Sequence, residues 1–224
     1  MEKSYVYRSV EGLKVALIIF LALDLLLNVV SAGSSWMAIE LLQRSFTEEE
    51  AELNDIREGA IGLSQLGVYV VTAIVFCVWI VRSQKNVWAF GYPQEITPGW
   101  AVGWFFIPIA NLWKPYQAMK ALWLSSVPNR SHAPLLPIWW TFWILSSAIA
   151  RVSFKTSMKA ETVEELISAS QLQLANCVVD VPLTALALGI VINISRAQTA
   201  TGQELSAPPP LPVARTAYPP TGSW

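Results

Sequence analysis

Two aspartates stand inside apolar runs where an acid is costly. Asp24 lies midway along Leu13–Val30, and Asp180 lies near the middle of Leu172–Ile194. An acid at the centre of a membrane helix costs about 2.5–3.5 kcal/mol on the insertion scale. Such residues pair with other polar groups or mark an ion pathway. Both have polar company at helical spacing. Asn28 follows Asp24 by one turn. Gln173, Asn176, Asp180 and Thr184 recur in steps of three and four, making one polar stripe on a helix whose other faces are Leu, Val, Ala and Ile. Two chemistries fit this set. A carboxyl pair at mid-depth that cycles between charged and neutral would handle protons or cations. The same groups would also serve as interhelical hydrogen-bond glue, at about 0.6 kcal/mol per contact on average. Pro182 frees the carbonyl of Val178, as a kink or as a cation ligand. A weaker stripe, Gln65, Tyr69 and Thr72, lies in the second apolar segment.

Signals for catalysis are poor. The single histidine, His132, sits in a proline-flanked loop, and zinc needs three or four Cys, His or carboxylate ligands. No nucleophile elbow, Walker loop or dinucleotide fingerprint occurs. Gly99 and Gly103 lie in a tryptophan-rich helix, where close packing explains them. The expectation is no enzymatic activity, no metal and no cofactor. Net charge is −1, which leaves no basic excess to neutralise a nucleic-acid backbone, so no nucleic-acid partner is expected. Cys77 and Cys177 fall inside apolar runs and suggest no disulfide framework.

The elements that must position these residues follow from composition. The chain is 54% hydrophobic and 14% charged, with 11 tryptophans, against roughly 25% charged residues in soluble domains. Lipid is the implied solvent. Four segments approach the ~20 residues needed to span the hydrocarbon core: residues 13–33, 61–81, 135–151 and 172–194. The first reads as an uncleaved anchor, because its apolar core is too long for a signal peptide and contains Asp24. Lys and Arg concentrate in the N-terminal arm (Lys3, Arg8, Lys14), in the 82–134 connection (Arg82, Lys85, Lys114, Lys120, Arg130) and at Arg196. The first connection is acidic, with Glu48, Glu49, Glu50 and Glu52 in one run. Four spans with both termini in the cytoplasm satisfy this distribution. Arg151, Lys155 and Lys159 are the misfit. Thr47–Glu50 and Thr162–Glu165 are capping-box patterns, each predicting a helix that starts outside the bilayer and runs into a span. Their recurrence, with echoes at Arg44-Ser45-Phe46 and Arg151-Val152-Ser153-Phe154, allows a duplicated helical hairpin or a chance likeness.

Between spans two and three, residues 97–126 carry no charge from Pro98 to Trp113. Thr97 reads as an N-cap with Pro98 as first helical residue. Pro108 interrupts the run, and a second start follows at Lys114-Pro115. The apolar part would reach only about 24 Å as straight helix, too short to cross comfortably. A re-entrant or interfacial pair of short helices is therefore expected, the second along the inner surface, in preference to a fifth span. The candidate interface comprises Trp100, Trp104, Pro108, Asn111, Trp113, Lys114, Pro115 and Trp123. It would meet lipid headgroups or a partner span, since indole rings favour the headgroup boundary.

The run TPGWAVGWFFIPIANLWKPYQAMKALW, set between two pairs of apolar spans, resembles an uncharacterised bacterial four-span membrane protein family, domain of unknown function 4328. The resemblance runs from about Leu13 to Arg196. It implies a bacterial cell-membrane location, multi-pass, and brings no activity, substrate or cofactor. The fold class expected is an all-α integral membrane protein with four transmembrane helices plus this Trp/Pro-rich segment. Residues 197–224 are expected to form a disordered, proline-rich cytoplasmic tail. Beyond the lipid bilayer, the partners expected are a membrane protein or further copies of this chain. The leading role is a membrane-embedded binding or scaffold component, and the alternative is a small proton, cation or solute transporter using Asp24 and Asp180.

Overall fold

The computed structural model describes residues 5–127 and 134–206. Among these residues every regular element is helical. Four helices are long and apolar enough to cross a membrane: α1 (Glu11–Leu42), α2 (Glu48–Ala89), α5 (Leu135–Lys159) and α6 (Val163–Ser206). Between α2 and α5 lie the single turn α3 (Trp100–Gly103), two 3-10 turns at Trp104–Phe106 and Ala110–Leu112, and α4 (Lys114–Ser126).

Both expected capping boxes form. The Thr47 hydroxyl accepts from the Glu50 amide at 3.2 Å, and the Glu50 carboxylate accepts from the Thr47 amide at 3.0 Å. Thr162 and Glu165 make the same exchange at 3.3 Å in both directions. These caps start α2 and α6 well before their apolar spans. With 42 and 44 residues, the two helices run about 63 and 66 Å, against about 30 Å of hydrocarbon. α2 ends in a tight turn: Gly91 has φ +87°, and its amide donates to the Trp88 carbonyl at 3.0 Å. Only glycine enters that conformation without strain.

α1 and α6 pack along each other at the centre, with α2 flanking α1 and α5 flanking α6. The faces in contact differ along α1. Its first half buries Leu17 and Leu21, while its second half buries Ser31, Ser34, Ser35 and Ala38 and exposes Val29, Val30, Trp36 and Met37. Small residues inside and large ones outside suit a helix in lipid. Apolar burial gains little there, and close backbone approach gains more. Phe76 of α2 and Trp139 of α5 meet as tilted rings 6.4 Å apart.

The N-terminal arm, the ends of α2 and α6, and α4 all meet at one end of the bundle. Arg8 is tied to Asn86, Gln84 to the Ala118 carbonyl, Gln198 to Ser126, and Thr199 to Glu11. Lys14 and then Thr199 hold the Glu11 carboxyl below its ordinary value. α4 has one face in the core, where Ala118, Met119, Leu122 and Trp123 are buried, and the other exposed at Gln117, Lys120 and Leu124. Two expectations are corrected here. The N-cap before α3 is Gly99, with no side-chain bond; Thr97 contributes only its carbonyl, to the Ala101 amide. The tail does not begin at residue 197: α6 continues to Ser206, with Gln198 and Gly202 buried inside it. The proline-rich run after Ser206, and His132, lie outside the described residues.

Candidate functional site

The aspartate stripe faces the neighbouring spans. Antiparallel packing of α6 on α1 sets Gln173 against Ser31, with a 3.3 Å hydrogen bond from the Gln173 amide. Successive turns away from that bond, the same register brings Asn176 towards Asn28 and then Asp180 towards Asp24. Asn28, Asn176 and Thr184 are buried at 4%, 8% and 4% exposure, and the two aspartates are half-buried. Asp180 accepts from Ser146 of α5 at 2.6 Å and from Asn176 at 2.8 Å. It therefore joins α5 and α6 at mid-span. Asp24 lies near enough for the Asp180 charge to act on it, and it has no hydrogen-bond donor among the described residues. The buried Oδ1 atoms of Asn28 and Asn176 have no protein partner among those residues either.

The seam continues to the acidic end of the bundle. Ser34 donates to the Glu58 carboxylate. Arg57 donates to Ser34 Oγ at 2.9 Å and to Asn54 at 2.6 Å. Glu50 beyond it is exposed, and the Arg44 guanidinium at 2.6 Å, with the Thr47 amide, holds its carboxyl below the ordinary value. The Glu161 and Thr162 amides do the same for Glu165. Ser31, Ser34 and Ser146 were missed as seam members. The spacing of small residues from Ser31 to Ala38 was the only signal for the first two, and Ser146 had none. The weaker stripe on span two does not join the seam: Tyr69 is 63% exposed, and Thr72 bonds back to its own helix at the Val68 carbonyl.

The second candidate surface is the broken segment between α2 and α5. Pro108 lies in its turn, exposed, between the two 3-10 turns. The Trp140 indole donates to the Leu112 carbonyl at 2.9 Å. Phe105 meets Trp140 and Trp143 edge-on. Trp143 is eight residues into α5, so the segment dips about 12 Å along that helix before returning. Its tip presents Phe106 at 77% and Ile109 at 72% exposure. Trp100 and Trp104 pack with ring centroids 4.8 Å apart, and Lys114 sits 5.7 Å over the Trp104 ring. Trp100 and Trp113 are exposed and Asn111 is half-buried. Trp123 is buried in the core instead, and Pro115 is buried at the start of α4.

Sequence reasoning missed the polar knot at this same end. Asn86 Oδ1 accepts from the Arg8 amide at 2.9 Å, and its Nδ2 donates to the Arg8 carbonyl at 2.9 Å and to Gln198 Oε1 at 3.1 Å. Gln198 Nε2 donates to the Ser83 carbonyl and to Ser126 Oγ, both at 3.0 Å. Nearby the Trp79 indole donates to Ser195 at 3.0 Å. No spacing pattern announces these partners, which are more than 70 residues apart.

Residues 42–196 match the family described as domain of unknown function DUF4328. The chain belongs to that family. The match starts at the last residue of α1, later than the expected Leu13. It therefore leaves Asp24 and Asn28 outside the DUF4328 region and keeps Gln173, Asn176, Asp180 and Thr184 inside it. No curated protein and no solved structure matches the chain.

Proposed function

We propose that this DUF4328 protein is a membrane-embedded binding component that presents its dipping segment to another membrane protein. One observation carries the reading. The tip at Phe106 and Ile109 is bare and apolar, yet it is braced from behind by the Trp140–Leu112 bond and the Phe105–Trp143 contact. A surface held in one shape before binding loses less conformational freedom on binding. On this reading the segment stands in the cytoplasmic leaflet of a bacterial inner membrane, with both termini on that side, as the Lys and Arg distribution favours. Gentle-detergent purification should then recover a stoichiometric partner that is lost from Phe106→Ser/Ile109→Ser. A lone protein released equally by both forms would end the proposal. Thiols placed at the exposed Gln117 and Lys120 should stay unlabelled by an impermeant reagent applied outside the cell.

Transport is the second reading. It is favoured by Asp24, a carboxylate in a span with no donor beside it among the described residues and a second carboxylate near. Under this reading Asp24→Asn abolishes a proton or cation flux in proteoliposomes without unfolding the protein. No flux from the wild-type chain under imposed gradients would remove it.

A further inference from the structure

Outside both candidate sites, a groove of about 560 Å³ opens at the terminal end of the bundle, between the N-terminal arm and α2. Its upper wall is cationic: Arg8, Arg82 and Lys85 line it. Its lower wall is aliphatic, with Val78 and Val81. Val78 is 44% exposed and continues the bare apolar face of α2 that runs through Val70, Val71 and Ile74. Charge and grease thus meet one turn apart on a single helix, where the apolar span gives way to Arg82.

Contacts hold the cations in place, and among the described residues no acid neutralises them. Arg82 donates to the Ser9 carbonyl at 3.4 Å, and the Lys85 ammonium sits 5.9 Å over the Tyr5 ring. Asn86 pins the arm that carries Arg8 through both backbone groups of that residue. No carboxylate of the described residues forms an ion pair with any of the three; the ion pairs there involve Lys14, Arg44 and Arg57. Among the described residues no acidic side chain lines the groove.

We propose that this groove binds one anionic phospholipid of the adjoining leaflet. The phosphodiester would lie among Arg8, Arg82 and Lys85, and an acyl chain would run down Val81 and Val78. Guanidinium and ammonium groups are the donors that recognise phosphate oxygens. Basic grooves at the edge of a helical bundle suit anionic headgroups for that reason. The aliphatic wall selects a lipid over a free phosphate, since a soluble anion has nothing to place against it. The inference stands on the groove alone and holds whether or not the dipping segment has a partner.

The test is native mass spectrometry of the full chain released from nanodiscs, with phosphatidylglycerol or phosphatidylcholine as the probe lipid. Phosphatidylglycerol should remain as a single bound copy, and phosphatidylcholine should not. Arg82→Gln/Lys85→Gln should weaken retention about tenfold or more, at roughly fivefold per cation removed, and added salt should weaken it in the wild type. Lys120→Gln, an exposed cation on α4 at the same end, should retain lipid as the wild type does. Arg8→Gln, whose side chain is exposed, repeats the test without touching α2 if the double variant fails to fold. Glycerol phosphate or inorganic phosphate at millimolar concentration should leave the lipid in place. Equal retention of both lipids, undiminished retention by the variants, or displacement by a soluble phosphate would each overturn the proposal.

Discussion

Asn86 and Gln198 have every side-chain amide hydrogen engaged by protein, whereas Asn28 and Asn176 leave their carbonyl oxygens without a protein partner. The first pair sits beyond the spans, among Trp79, Met119, Leu122 and Trp123, all fully buried. The second sits between spans, lined by serines and flanked by half-buried carboxylates. At the terminal end, parts of the chain reach past the hydrocarbon, water competes for polar groups, and apolar burial drives packing as in a soluble core. Inside the spans that drive is weak, and small residues and polar contacts hold the helices. The knot fixes the fold. The seam holds groups with bonding capacity to spare, where a function that needs a proton, an ion or a sliding contact has room to work. The knot is not saturated throughout: Gln84 Oε1 and Trp123 Nε1 find no protein partner.

The largest effect should come from Gln198→Leu. It strands one Asn86 amide hydrogen and takes the donor from Ser126 Oγ, at about 1–3 kcal/mol for a stranded group, so thermal unfolding in detergent should fall well below wild type. If Gln198→Leu melts with the wild type, the knot is not the anchor. Gly202→Ala comes next. A Cβ there would run into the Tyr7 ring, so the Tyr7 side chain or the arm that carries it must shift. Overpacking of this kind costs about 1–3 kcal/mol, and proteolysis of residues 5–10 should become faster.

The caps test the opposite end. Thr47→Ala or Thr162→Ala should cost about 1 kcal/mol, read as faster amide exchange in the first turn of α2 or α6 with the knot unchanged. Because Glu50 and Glu165 are held below 4.5 in the folded chain, their contribution is full above that pH. It fades as pH falls through the lower folded values, so backbone shifts of these two turns should lose helical character in acid before the spans respond. Asp180→Asn should be the mildest, near 0.6 kcal/mol, because the amide oxygen still accepts from Ser146 and the spare Asn176 Oδ1 can take the new amide hydrogen. A loss as large as that of Gln198→Leu would erase the distinction between seam and knot.

Four spans, their order and the starts of α2 and α6 were legible in the chain. Long apolar runs and Thr-x-x-Glu are local signals, and the bilayer demands internally satisfied backbone. The stripe from Gln173 to Thr184 was legible because helical periodicity lies in a single segment. Its partners were not: Ser31 and Ser146 are ordinary residues until α1 and α5 come alongside α6. The tertiary structure alone decided that Trp123 is core while Trp100 is surface, although both are tryptophans in one short stretch. It also decided that residues past 196 continue α6, that Asn86 would find Arg8, and that Arg8, Arg82 and Lys85 would share one groove. Each of those depends on contacts between distant segments, and the energy of such contacts is set by which groups end up facing each other.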